Sequence, residues 1–317
     1  ITNNIDLTKG GLVWQKMRVH PTPPDGQDHY LRDTVRGGGY NLESNTADAQ
    51  FNDGGITAFN SNGFSLSSGT RGNQNEAEYV SWTFRKAPKF FDVVTYTGNG
   101  SFVQVINHSL GCEVGAIFIK RTDTSSNWVT AMRISSGTYA EMYLNTTGAN
   151  LGNFSPSAST TDFRVGGNWA GDASHALNAS GATYVAYVFA HNNNDGGFGP
   201  DGDQDVIKCG SYTGNNGNPQ LIELGFEPQF LMVKCTSNSG DWFVVDNMRG
   251  VLPNADYGDS NKTIYWNTNA AEISSGNFGF YSTGFAAAQS SSTNGSGRTF
   301  IYMAIRRGPL AVPTDAT

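Results

Sequence analysis

Short apolar runs punctuated by polar, glycine-rich stretches recur along the whole chain. In "TYVAYVFA" (Thr183–Ala190), Tyr184, Ala186 and Val188 would share one face of a strand, and Val185, Tyr187 and Phe189 the other. Both faces are apolar, which predicts a strand covered on both sides. The same phrase returns as "EYVSWTFR" (Glu78–Arg85) and "TFIYMAIR" (Thr299–Arg306), with Tyr79, Tyr184 and Phe300 lying 105 and 116 residues apart. A second phrase keeps step with the first. "GLVWQK", "GAIFIK" and "FLMVK" end in Lys16, Lys120 and Lys234, 104 and 114 residues apart. Two unrelated landmarks with nearly one period indicate tandem copies of one folding unit.

The internal order of each copy is legible. Copies two and three open on alternating runs that stop at "YTGN", a turn signal. A Leu-Gly pair, the strand ending in lysine, a Trp strand ("NWVTAMR", "DWFVVDNMRG"), an Asn-Thr element and the closing aromatic strand follow. In copy one the Trp slot reads "HYLRDTVRG". Strands at this spacing with turn residues between them predict an all-β protein of tandem β-sandwich repeats. The boundaries fall at 1–88 for repeat 1, 89–194 for repeat 2, 195–204 for an acidic, flexible Gly-rich linker, 205–308 for repeat 3 and 309–317 for a tail. Repeat 1 lacks its opening strand and so has an unpaired edge. An upstream segment is expected to supply that strand, with another chain as the alternative. Sandwiches in a stiff row would hold their loops at fixed spacing.

Composition fits this picture. Of 317 residues only 15% are charged, 39 are glycine and 12% are aromatic, the profile of a turn-rich β protein. The net charge of −7 repels phosphates and anionic lipid, so neither a nucleic-acid partner nor membrane insertion is expected. Three cysteines, Cys112, Cys209 and Cys235, form neither a disulfide framework nor a zinc pattern and read as buried thiols.

Candidate chemistry is sparse. The linker "GGFGPDGDQD" contains a literal G-x-G-x-x-G, but no helix is expected after it and its aspartates would repel a phosphate. Asp201, Asp203 and Asp205 alternate as in the start of a Ca²⁺ loop, so they are the candidate metal ligands. The pattern then breaks, with no glycine in sixth place and Tyr212 in twelfth, and a solvated acidic linker is the plainer account. No other cofactor is implied. The five histidines lack zinc spacing and no G-x-S-x-G elbow occurs, so the chain is read as a non-enzyme. Trp14, Trp82, Trp128 and Trp242 occupy repeat-equivalent strand positions and read as core. Trp169, Trp266 and Tyr40 are less regular and are the candidate ligand-contact aromatics.

The phrases "DTVRGGGYNLESNTADA", "YVSWTFRKAPKFFDVVTYTGNG", "GDWFVVDNMRG" and "IKCGSYTGN" resemble a repeat domain in tail fibre-like, virion structural proteins of marine tailed bacteriophages of the cyanophage type. The resemblance spans nearly the whole chain in three copies. It implies a lectin-like or jelly-roll β-sandwich, a place in the virion and other virion proteins as partners. It carries over no catalytic residue. The expected role is in the tail or fibre apparatus, contributing to host-surface attachment, with surface glycan as ligand and a homotrimer by analogy with other fibres. The rival readings are a capsid decoration or knob protein without a receptor, a polysaccharide depolymerase, and a carbohydrate-binding module.

Overall fold

The computed structural model describes residues 1–19, 27–69, 71–154, 158–166, 177–217, 219–251 and 261–308. The chain is all-β. Copy one contributes β1 (Gly11–Val19), β2 (His29–Asp33), β3 (Tyr40–Asn41), β4 (Phe51–Asn52), β5 (Ile56–Asn60), β6 (Gly63–Leu66) and β7 (Glu78–Arg85). Copy two contributes β8 (Phe91–Thr97), β9 (Val103–Asn107), β10 (Val114–Arg121), β11 (Val129–Ser135), β12 (Thr138–Tyr143), β13 (Gly152–Phe154), β14 (Asp162–Gly166) and β15 (Thr183–Ala190). Copy three contributes β16 (Ile207–Thr213), β17 (Gln220–Glu223), β18 (Pro228–Cys235), β19 (Trp242–Asp246), β20 (Lys262–Tyr265), β21 (Ile273–Ser274), β22 (Phe278–Tyr281), β23 (Gly284–Ala287) and β24 (Thr299–Arg306).

Each copy builds one large antiparallel sheet in the same order: opening strand, closing strand, lysine strand, Trp strand. Copy two reads β8-β15-β10-β11-β12-β13 and copy three β16-β24-β18-β19-β20-β21. Copy one reads β7-β1-β2, with no opening strand among the described residues. A small outer sheet covers each large one: β5-β6, β9-β14 and β17-β23-β22 respectively. The two-layer, sandwich-type arrangement follows from alternation. In β18 and β19, Leu231, Val233, Phe243 and Val245 face the outer sheet and pack on Phe278, Phe280 and Phe285. Their neighbours Phe230, Met232, Trp242 and Val244 point the other way. β15, apolar on both faces, is buried over nearly its whole length.

The inward faces of all three sheets meet in one core. Leu12 and Trp14 of copy one, Phe118 and Met132 of copy two, and Met232 and Met303 of copy three belong to the same buried cluster. The copies are therefore not beads in a stiff row; they close on one another around an apolar centre. Trp266 is its hub and is completely buried. Its ring stacks on Trp14 at 3.8 Å and lies 6.0 Å from Trp82, 6.1 Å from Phe118 and 5.7 Å from Phe230, touching all three copies.

Three sets of equivalent hydrogen bonds bind each copy to the one before it, and copy one to copy three. In the first, the indole Nε1 of Trp128 donates to the Glu43 carbonyl at 2.8 Å, and that of Trp242 to the Tyr143 carbonyl at 3.2 Å. Copy one has His29 in this slot. Its Nδ1 accepts from Trp14 Nε1, which leaves Nε2 to donate to the Tyr265 carbonyl at 3.0 Å. In the second, Lys120 Nζ donates to the Ala47 carbonyl, Lys234 to Thr147 and Lys16 to Asn269, at 3.0–3.3 Å. In the third, the backbone amides of Gln50, Asn150 and Glu272 donate to the carbonyls of Thr122, Thr236 and Arg18. Within each copy an Asn-Thr asparagine completes the joint: Asn45, Asn145 and Asn267 accept through Oδ1 from the amides of His29, Trp128 and Trp242. That is the physical reason the Asn-Thr element recurs.

Two predictions follow from a shared core closed by buried lysines. Trp266→Ala should cost about 3–5 kcal/mol, as large-to-small core changes do, and leave one calorimetric transition at lower temperature. Three separable transitions would mean independent copies. Burial lowers each of Lys16, Lys120 and Lys234 to about 8 from an ordinary 10.5. A depressed lysine stabilises the fold fully above 10.5, and that contribution is lost as pH falls through about 8. The melting-temperature loss caused by Lys120→Met should therefore be larger at pH 9 than at pH 7. An equal loss at the two pH values would refute the assignment.

Candidate functional site

The sequence-predicted site residues do not come together. Trp266 is core rather than ligand contact: its indole is walled in by four aromatic rings and has no solvent face. Trp169 lies outside the described residues. Tyr40 is exposed, at the start of β3. Among the described residues no three His, Cys, Asp or Glu side chains converge on a metal-sized site. Asp201 and Asp203 are exposed, whereas Asp205 is buried with both carboxylate oxygens engaged, by the Asn194 amide at 2.7 Å and by Lys208 Nζ at 2.9 Å. The linker is folded rather than loose. Phe198 bridges to Gln204, and Gly197 (φ +72°) donates to the Gly202 carbonyl, so its glycines serve a turn.

A buried polar cluster lies in the outer layer of copy one. In copies two and three the outward face of the large sheet is mostly apolar: Ile117, Ile119, Val129 and Ala131, then Leu231, Val233, Phe243 and Val245. The equivalent face of copy one carries Val13, Gln15, Tyr30 and Arg32, paired across β1 and β2, and all four are buried. Arg32 Nη1 donates to Gln15 Oε1 at 3.1 Å, while Nε and Nη2 hold both carboxylate oxygens of Asp53. Gly55 is required beside it, since a Cβ there would sit 2.3 Å from the guanidinium carbon. The Leu31–Leu42 bridge sets Asn41 opposite Arg32. Asn41 is completely buried, yet neither atom of its amide has a protein partner. Across β4 it faces half-buried Phe51, on which the exposed Arg71 guanidinium lies at 5.3 Å. Arg71 also pairs with buried Glu43 at 3.2 Å. Burial, reinforced by Asp28, raises Glu43 to about 7 against the pull of Arg71. Alternation along β3 turns Tyr40 away from Asn41, so that exposed ring stands outside the cluster.

A second feature is a groove of about 550 Å³ where copy one meets copy three. Thr83 and Arg85 of β7, Asn4, Phe90, Phe198 and Arg306 line it. The Arg306 guanidinium lies over the rings of Phe198 and Phe226, at 5.4 and 5.6 Å.

The chain belongs to the family described as "Domain of unknown function (DUF7483)", whose model matches residues 7–309. Comparison with curated proteins and with solved structures gives no match.

The signal for the polar cluster was present in the sequence. Aligned on the lysine strand, Gln15 stands where copies two and three have Ile119 and Val233, and Arg32 where they have Ala131 and Val245. An unpartnered buried amide costs about 1–3 kcal/mol. Asn41→Leu, similar in volume, should therefore raise the melting temperature or leave it unchanged. A marked fall would mean that the amide is satisfied in solution by groups outside the chain's own side chains.

Proposed function

We propose that this chain is a non-enzymatic structural and binding module of a virion, in the tail or fibre apparatus, and that the accessible rim of the polar outer layer of copy one, at Arg71 and Phe51, is its recognition face for host-surface glycan. The observation that carries the binding role is the contrast between copies. Three copies keep the same inward-facing machinery of Trp or His, lysine and asparagine, while only copy one places Gln15 and Arg32 where the other two carry Ile119 and Val233, and Ala131 and Val245. At these two positions a scaffold needs only apolar side chains, which suffice twice in the same molecule. At the rim of this layer the exposed Arg71 guanidinium lies against half-buried Phe51, a donor beside an aromatic ring that suits sugar hydroxyls. The virion setting is supported by the phrase-level resemblance, and partnership with other virion proteins follows from that setting.

The test is binding of the purified chain to an array of bacterial surface glycans and to host cells. Saturable binding is expected, weakened about tenfold or more by Arg71→Ala or Phe51→Ala, as loss of one well-placed contact does. Silence of the wild-type chain in both assays would reduce the role to a structural one. Reducing ends released from envelope glycan would replace it with an enzyme.

A further inference from the structure

The closing strands of copies two and three are each paired on both sides. β15 pairs with the lysine strand β10 and, over Thr183–Phe189, with β8. β24 pairs with β18 and with β16. β7 pairs with β1 alone, and among the described residues no strand pairs with its other edge. The difference is visible in burial. β15 and β24 are buried along nearly their whole length, whereas β7 has only Trp82 and Phe84 buried. The end of this free edge, Thr83 and Arg85, opens onto the 550 Å³ groove.

The two filled edges state what fits the empty one. β8 presents Phe91, Val93 and Tyr96, and β16 presents Ile207, Cys209 and Tyr212, at the first, third and sixth positions, and each strand ends in threonine. The sixth-position tyrosine stacks on the closing strand: Tyr96 on Tyr184 at 4.8 Å and 10°, Tyr212 on Phe300 at 5.1 Å and 15°. Tyr79 occupies the corresponding place in β7, half-buried, with no ring facing it among the described residues. First and third positions would meet Phe84 and Trp82, as Phe91 and Val93 meet Phe189 and Tyr187.

We propose that the free edge of β7 is a strand-accepting site that binds, antiparallel, a strand of the form apolar-x-apolar-x-x-Tyr-Thr. Backbone hydrogen bonds to the edge supply affinity, and the Tyr79, Trp82 and Phe84 positions supply register. A second copy of this chain is not the donor, because its own two segments of this form are already paired with β15 and β24. The inference stands independently of the glycan reading, since it concerns the opposite edge of the copy-one sheet from β3.

The test adds a labelled peptide of residues 90–98 to the intact chain and follows anisotropy and amide hydrogen exchange. Saturable binding is expected, with exchange at Glu78–Arg85 slowed on binding and that at β15 and β24 unchanged. Tyr96→Ala in the peptide should weaken binding about three- to tenfold, the range for loss of one aromatic pair. Absence of slowed exchange in β7 at saturating peptide would overturn the proposal. So would slow exchange in β7 before any peptide is added: if it rises with protein concentration, a second copy covers the edge, and if it does not, the chain itself does.

Discussion

Three buried ammonium groups determine how this chain is put together. A lysine taken out of water is unfavourable unless its protons find acceptors. Lys16, Lys120 and Lys234 have no exposed surface, and each finds part of what it needs only on the neighbouring copy, two residues beyond the Asn-Thr asparagine. No copy can therefore be satisfied alone. The indole and imidazole bonds to the preceding copy, and the apolar meeting of three sheets around Trp266, reinforce the same joint. Closure also removes two ends that a row of sandwiches would have to cap.

The joints are alike but not identical. Tyr187 of copy two donates to Asp33 of copy one, and Trp82 of copy one donates to Asp246 of copy three. Each aspartate caps a turn with an arginine three residues on, Arg36 or Arg249. At the third joint the tyrosine or tryptophan is replaced by Met303 and the aspartate by Met132, both buried in the shared apolar core. Both halves of the polar pair are missing together, so no buried donor is orphaned there. The outward faces vary more freely than the inward ones, because an outward residue answers only to its own small sheet.

The strand order within each copy was legible because period-two alternation and turn residues are local signals. The repeats were legible because Lys16, Lys120 and Lys234 mark equivalent positions. The closed arrangement was not. Periodicity along a chain is the same for a row and for a ring, and what distinguishes them is a contact such as Lys16 with Asn269, which no local pattern encodes. Trp266 was misread for a related reason. Its equivalents are Ser44 and Leu144, so it looks irregular, when one large ring at the axis fills the space that three medium ones would otherwise share. The exchange of Ile119 and Val233 for Gln15 was open to inspection in the sequence, but its meaning depended on knowing which face looks outward.

The joint between first and third copies also sets an order of events in time. Lys16 and His29 are made early, yet their acceptors, Asn269 and Tyr265, lie 253 and 236 positions later. At about 5–20 residues per second of synthesis, copy one spends many seconds on the ribosome with a buried-type ammonium and an imidazole that have nowhere to go. Its inward face must stay solvated until the last sheet emerges. Such a chain of long-range contacts commits late, and its nascent form is exposed to holding factors and proteases for longer than a chain whose modules finish one by one.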